Sequence, residues 1–222
     1  MKSTSKLFVY GVLPALFFQM SGAALYFVWD SNFSHWIYYA TKILLLVWPL
    51  LWLGVVRQEF KKWKRGRFFL LSLLLMVVMT EIMLTALPLI DLQSIGLLVQ
   101  EKAAAFKLHS RSLFIVFALF FSVLHSLLEE YYWRWFVFRG LMLKLNWKTS
   151  ALLGSLAFAG HHYLVLSQFF SLPLTLAFGT AVGVAGFIWC TAYYKTRTLL
   201  PSYLSHIAVD AVIMGTGYAI LF

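Results

Sequence analysis

An all-α, polytopic transmembrane helix bundle is the fold class this sequence predicts, on three observations. Of its 222 residues 62% are hydrophobic and only 12% charged, with a mean hydropathy of +0.82, which is a membrane composition. The chain divides at its charge clusters into about seven apolar segments of roughly 20 residues, the length a helix needs to cross a hydrocarbon core. Lys and Arg gather in short clusters between those segments, as topology signals do.

The segments fall at 7–29, 36–56, 68–90, 112–138, 150–168, 172–194 and 199–221. The first follows Lys2 and Lys6 and runs to Trp29, too long for a signal-peptide core and without a small-x-small exit, so it reads as a span. The second lies between the nearly uncharged turn Ser31 to His35 and the loop RQEFKKWKRGR, Arg57 to Arg67, where six Lys or Arg face one Glu. That excess makes the loop cytoplasmic. The third carries Glu81 near its middle, where it pairs with Lys42, lines a cavity or sits protonated in lipid. The connection from Asp91 to Arg111 is the longest, and its EKAAAFKL portion forms either an interfacial helix or a further partial crossing. The expected count therefore runs from six to eight spans. Alternation then leaves Lys2, Lys6, Arg139, Lys144, Lys148, Lys195 and Arg197 inside, and Ser167 to Pro173 and Phe222 outside. The expectation is one integral membrane domain, 1–222, with a cytoplasmic N-terminus. No organelle-targeting segment appears, which points to a bacterial inner (plasma) membrane.

The net charge of +10 does not indicate nucleic acid, because the basic residues lie between apolar runs rather than on one soluble face. Topology and anionic headgroups account for them. The single cysteine, Cys190, sits in an apolar run and excludes an internal disulfide framework and a multi-thiolate zinc site. It reads as a small core residue.

Ionisable groups inside spans are costly, at least about 2.5–3.5 kcal/mol at the bilayer centre. The deep ones are Lys42, Glu81, His125, Glu129, Glu130, Arg134, His161, His162, His206 and Asp210. Three sets fall on three segments: HSLLEEYYWR at 125–134, FAGHH at 158–162 and HIAVD at 206–210. Residues four apart share a helix face, so Glu130 meets Arg134, Phe158 lies beside His162 and His206 beside Asp210. Glu129 and Glu130 are about 100° apart around the axis, which leaves Glu129 to a reaction centre while Glu130 pairs with Arg134. Counted from the assigned cytoplasmic ends, Glu129, His162, His206 and Asp210 all lie ~10–18 Å deep.

These groups suit hydrolysis of a peptide bond in a membrane-associated substrate. Glu129 can take a proton from water and return it to the departing amine. His162 can hold that water, and His206 can donate to the oxyanion. No GxSxG elbow offers a serine nucleophile. Two histidines and a carboxylate also meet the ligand count of a catalytic zinc, with Glu129, His162, His206 and Asp210 as candidate ligands. HExxH is absent, although ligands from separate helices do not require it. The metal-free form is the simpler of the two, since the helical spacing demands no ion. His161 lacks the Phe158 spacing and is expected to matter less than His162, and His125 is expected to be structural only.

EEYYWR matches EExxxR, FAGHH matches FxxxH and HIAVD matches HxxxN or HxxxD. In this order on separate spans they resemble the CPBP family of CAAX-type intramembrane proteases, over motif-bearing helices at about 112–215. The resemblance implies that Glu129 activates water with His162 as its partner, that His206 and Asp210 form the oxyanion side, and that Arg134 holds Glu130. It leaves glutamate and metal mechanisms open. Asp210 departs from the Asn variant, and an ionised Asp cannot donate to an oxyanion; it orients His206 or stays protonated. Trp135 stands where Gly is frequent, and EEYYWRWFVFRG looks similar to bacterial members that process C-terminal sorting tails.

Two other classes use such groups. A catalytically inactive scaffold or immunity-type protein would tolerate replacement of Glu129. A proton-coupled transporter also buries carboxylates and histidines, but would show internal repeats or paired broken helices, and no repeat is apparent.

Overall fold

The computed structural model describes residues 3–29, 31–60 and 68–222. Lys2 and Lys61 to Arg67 lie outside the described residues, and with them most of the basic loop that orients the chain in the sequence reading. The described residues form helices and turns with no strand. The helices are α1 (Ser3–Trp29), α2 (Asn32–Leu51), α3 (Leu53–Phe60), α4 (Phe69–Leu89), α5 (Leu92–Ala105), α6 (Arg111–Leu141), α7 (Trp147–Leu166), α8 (Leu172–Thr196) and α9 (Leu200–Leu221).

Five of them, α1, α4, α6, α8 and α9, are long and apolar enough to cross a membrane. The chain is an integral membrane protein of the expected all-α class. In α2 the apolar run is shorter, Trp36–Leu51. The 20 residues of α7 suffice in length, but Lys148, three serines or threonines and the two histidines dilute its apolarity. The connection 91–111 holds a helix of 14 residues, α5, which at 1.5 Å per residue reaches about 21 Å and falls short of a crossing.

Local chemistry sets the helix ends. Ser31 and Ser34 form a reciprocal capping box on α2. Ser110 accepts from the Leu113 N–H at the start of α6, and Asn146 from the Thr149 N–H at the start of α7. Two helices stop at non-glycine left-handed residues, α5 at Lys107 (φ 58°) and α8 at Arg197 (φ 60°). At Lys107 the next N–H, from Leu108, reaches back to the Ala103 carbonyl at 2.9 Å. Leu108 and Ala103 also share an apolar cluster, the hydrophobic contact that accompanies such a cap.

The chain forms two compact units, Met1–Gly66 with Leu128–Leu199, and Arg67–Leu127 with Leu200–Phe222. In the first, α7 packs along α8, and α1 lies against α2 and α7. Hydrogen bonds between helices pin α1: Gln19 Nε2 donates to the Thr41 carbonyl (2.6 Å), Trp48 Nε1 to Gly11 (2.8 Å) and Tyr132 Oη to Ala15 (2.7 Å). Such bonds and small residues orient helices where lipid offers no competing water. Gly179 of α8 illustrates the second device, since a Cβ there would run into the Tyr163 ring of α7. Cys190 is buried with Phe138, Ala151 and Tyr193, a core position as expected. In the second unit α9 packs along α4, and Phe114 of α6 meets Tyr218 and Phe222.

Candidate active site

Two widened π-type stretches in α6, Phe120–His125 and Tyr131–Phe138, flank the α-helical turn Ser126–Glu130. Such departures inside a helix shift the faces its side chains present and recur at functional sites.

Glu130 and Arg134 behave as the spacing predicts. Arg134 Nη1 lies 2.9 Å from Glu130 Oε1, and both side chains are fully buried. The guanidinium carbon also stands 4.5 Å from the Phe158 ring centroid and 4.8 Å from that of Trp189. A cation between two aromatic faces with a carboxylate at its end fixes α6 against α7 and α8. Phe158 is thus a wall of the arginine site as well as the neighbour of His162.

Glu129, buried, points to a different partner. Its Oε1 is 3.6 Å from Nε2 of His161, itself buried. The His161 ring lies parallel to Trp133, 5° between planes and 6.1 Å between centroids, and edge-on to Phe158 at 5.6 Å. The ring of His162 is adjacent, 4.0 Å between centroids, and its Nδ1 is 2.9 Å from the Phe158 carbonyl. That contact makes Nδ1 the protonated nitrogen and leaves Nε2 of His162 an acceptor or ligand. Lys42 of α2, its ammonium 5.1 Å from the Tyr38 ring centroid, lies within electrostatic reach of Glu129.

His206 and Asp210 belong to the second unit. Both are buried, with His206 Nε2 3.8 Å from Asp210 Oδ2. The hydroxyl of buried Ser126 lies 2.6 Å from the same Oδ2 and 2.7 Å from the Ser122 carbonyl. Sequence reasoning passed over Ser126, whose three-residue spacing from Glu129 carries no motif. His125 packs on Phe121, 4.6 Å between ring centroids, and Glu81 is exposed on α4.

Among the described residues, ligand atoms of Glu129, His161 and His162 all lie within 4.8 Å of one another. Sequence reasoning expected His206 or Asp210 in such a set and left out His161. Two imidazoles and a carboxylate are a fitting donor set for a divalent transition metal.

A buried glutamate that faces a histidine on a neighbouring helix, in a bundle of this apolarity, has the groups that proton transfer inside an apolar layer requires. The model of the Rce1-like family, described as type II CAAX prenyl endopeptidase Rce1-like, matches residues 111–212, a stretch that contains all three motifs. That stretch is therefore similar to the Rce1-like family, in line with the resemblance that the three motifs carry. Neither the curated proteins nor the solved structures include a match to the chain.

Proposed function

We propose that this protein is an intramembrane endopeptidase in which Glu129 activates water for attack on a peptide bond of a membrane-associated substrate. One observation carries the reading: a buried carboxylate on α6 with His161 at 3.6 Å and His162 beside it, inside a stretch that matches a protease family. Water gives its proton to Glu129 as its oxygen attacks the carbonyl carbon, and the same proton passes to the amine as the C–N bond breaks. His162 Nε2, left as an acceptor, holds the attacking water. His206 donates to the developing oxyanion, with Asp210 orienting its ring, as the motif order implies. Glu130 and Arg134 keep α6 in place.

Glu129, His161 and His162 also support a metal-assisted form of the same reaction, in which a bound zinc would lower the pKa of its water and polarise the carbonyl. Elemental analysis of purified active protein, with activity after exhaustive chelation, separates the two. Full activity without metal removes the zinc form, and stoichiometric zinc whose return restores lost activity removes the other. The basic clusters at Arg139 to Lys148 and at Lys195 and Arg197 support a cytoplasmic N-terminus.

The deciding experiment compares peptide termini in membranes of cells carrying wild type and Glu129→Ala. Termini present only with wild type identify substrates and cleavage sites. Identical profiles with both proteins at equal abundance would return the chain to the inactive scaffold class.

A further inference from the structure

His161 was set aside by the motif spacing, yet it is the residue whose ring nitrogen approaches Glu129. The Phe158–His162 spacing has a local explanation, because His162 Nδ1 bonds the Phe158 carbonyl one turn earlier in the same helix. His161 makes no such bond. Its ring lies parallel to Trp133 and edge-on to Phe158, with Nε2 on the side of Glu129. Its Nδ1 is buried with no hydrogen-bond partner among the described residues.

That bare Nδ1 distinguishes the roles open to the ring. A histidine that ligates a metal through Nε2 carries its proton on Nδ1, and almost always donates it to a carboxylate, carbonyl or water. For His161 this tautomer leaves a buried N–H facing no acceptor among the described residues. The opposite tautomer puts N–H on Nε2, aimed at the Glu129 carboxylate, and leaves only a lone pair unmatched at Nδ1. The surroundings therefore favour His161 as a donor to Glu129. The separation of 3.6 Å is slightly longer than a hydrogen bond.

We propose that His161 is a positioning residue for Glu129, its Nε2–H holding the carboxylate in the orientation from which it takes the proton of water. This deepens the protease reading and rests on it for the catalytic consequence, whereas the contact itself can be tested without any substrate.

The test uses the full chain in lipid nanodiscs. The infrared difference spectrum between wild type and Glu129→Gln assigns the Glu129 carboxyl band. His161→Phe keeps the stack on Trp133 and cannot donate; His161→Gln restores a donor. The expected result is a displaced Glu129 band in His161→Phe and a band returned towards wild type in His161→Gln. On a peptide whose cleavage depends on Glu129, kcat should fall about 10- to 100-fold in His161→Phe with KM unchanged, the scale of losing a group that orients a reacting one, and recover in His161→Gln. If His161→Phe does not accumulate, His161→Met takes its place. A wild-type band and a wild-type kcat in the non-donating variant would overturn the proposal. Failure of the protease reading looks different: wild type and Glu129→Gln leave the same termini, while the band shift still reports on the Glu129–His161 contact.

Discussion

Among the described residues, two buried histidine–carboxylate pairs are built in different ways. In the first unit Glu129 and His161 meet across two helices, α6 and α7, at 3.6 Å. In the second, His206 and Asp210 stand four residues apart on the single helix α9, at 3.8 Å. The surroundings differ as much as the connectivity. Glu129 and His161 are set among Trp133, Phe158 and the buried Arg134–Glu130 pair, so their approach depends on rigid aromatic packing. The Asp210 carboxylate is held by the small hydroxyl of Ser126. A pair within one helix is fixed by helical geometry as soon as that helix forms. A pair across helices exists only when both rotate correctly, so it is more exposed to packing changes elsewhere in the unit.

The largest contrast is expected in turnover. Glu129→Gln should lower cleavage by about 10²–10⁴-fold or more, the range of a lost general base, at unchanged abundance in the membrane. Quantitative measurement of Glu129-dependent peptide termini checks this, and near-wild-type turnover would end the parallel between the two pairs by removing a catalytic role from the first.

Stability should separate the units next. Arg134→Leu strands the fully buried Glu130 carboxylate and removes the contacts with Phe158 and Trp189, at a cost of about 3–5 kcal/mol. Thermal unfolding in detergent should show a large loss, part of which Glu130→Gln recovers in the double variant. If Arg134→Leu alone unfolds like wild type, the aromatic cage is not what holds the first unit.

Packing gives a smaller effect of the same kind. Gly179→Ala forces a methyl group against Tyr163 and should destabilise by about 1–3 kcal/mol. Gly215→Ala, in the second unit, meets nothing within 4 Å and should be neutral or slightly stabilising, since alanine favours helix. Equal melting temperatures for the two variants would contradict the close α7–α8 approach.

The smallest change belongs to the pair within one helix. Ser126→Ala removes a hydroxyl from Asp210 and should cost about 1 kcal/mol, while His206 and Asp210 keep their spacing. A loss as large as that of Arg134→Leu would show that the second pair also depends on a neighbouring helix.

Much of this protein follows from the sequence alone. Apolar runs of about 20 residues must become helices in lipid, because no other open structure satisfies the backbone there. Asn146 and Ser110 cap helices because their side chains accept the N–H groups that a helix start leaves unpaired. Glu130 with Arg134, and His206 with Asp210, follow from four-residue spacing. The tertiary structure decided which of two adjacent histidines approaches Glu129. His161 and His162 point about 100° apart, and no rule of spacing chooses between them. The choice depends on how α7 is turned against α6 and α8, to which Gly179 under Tyr163, Arg134 beside Phe158 and Trp189, and the π-type stretch after Glu130 contribute together. Helical periodicity is a property of one segment and can be read from it, whereas the rotation of one helix against another is set by side chains distant in sequence and becomes definite only when they pack.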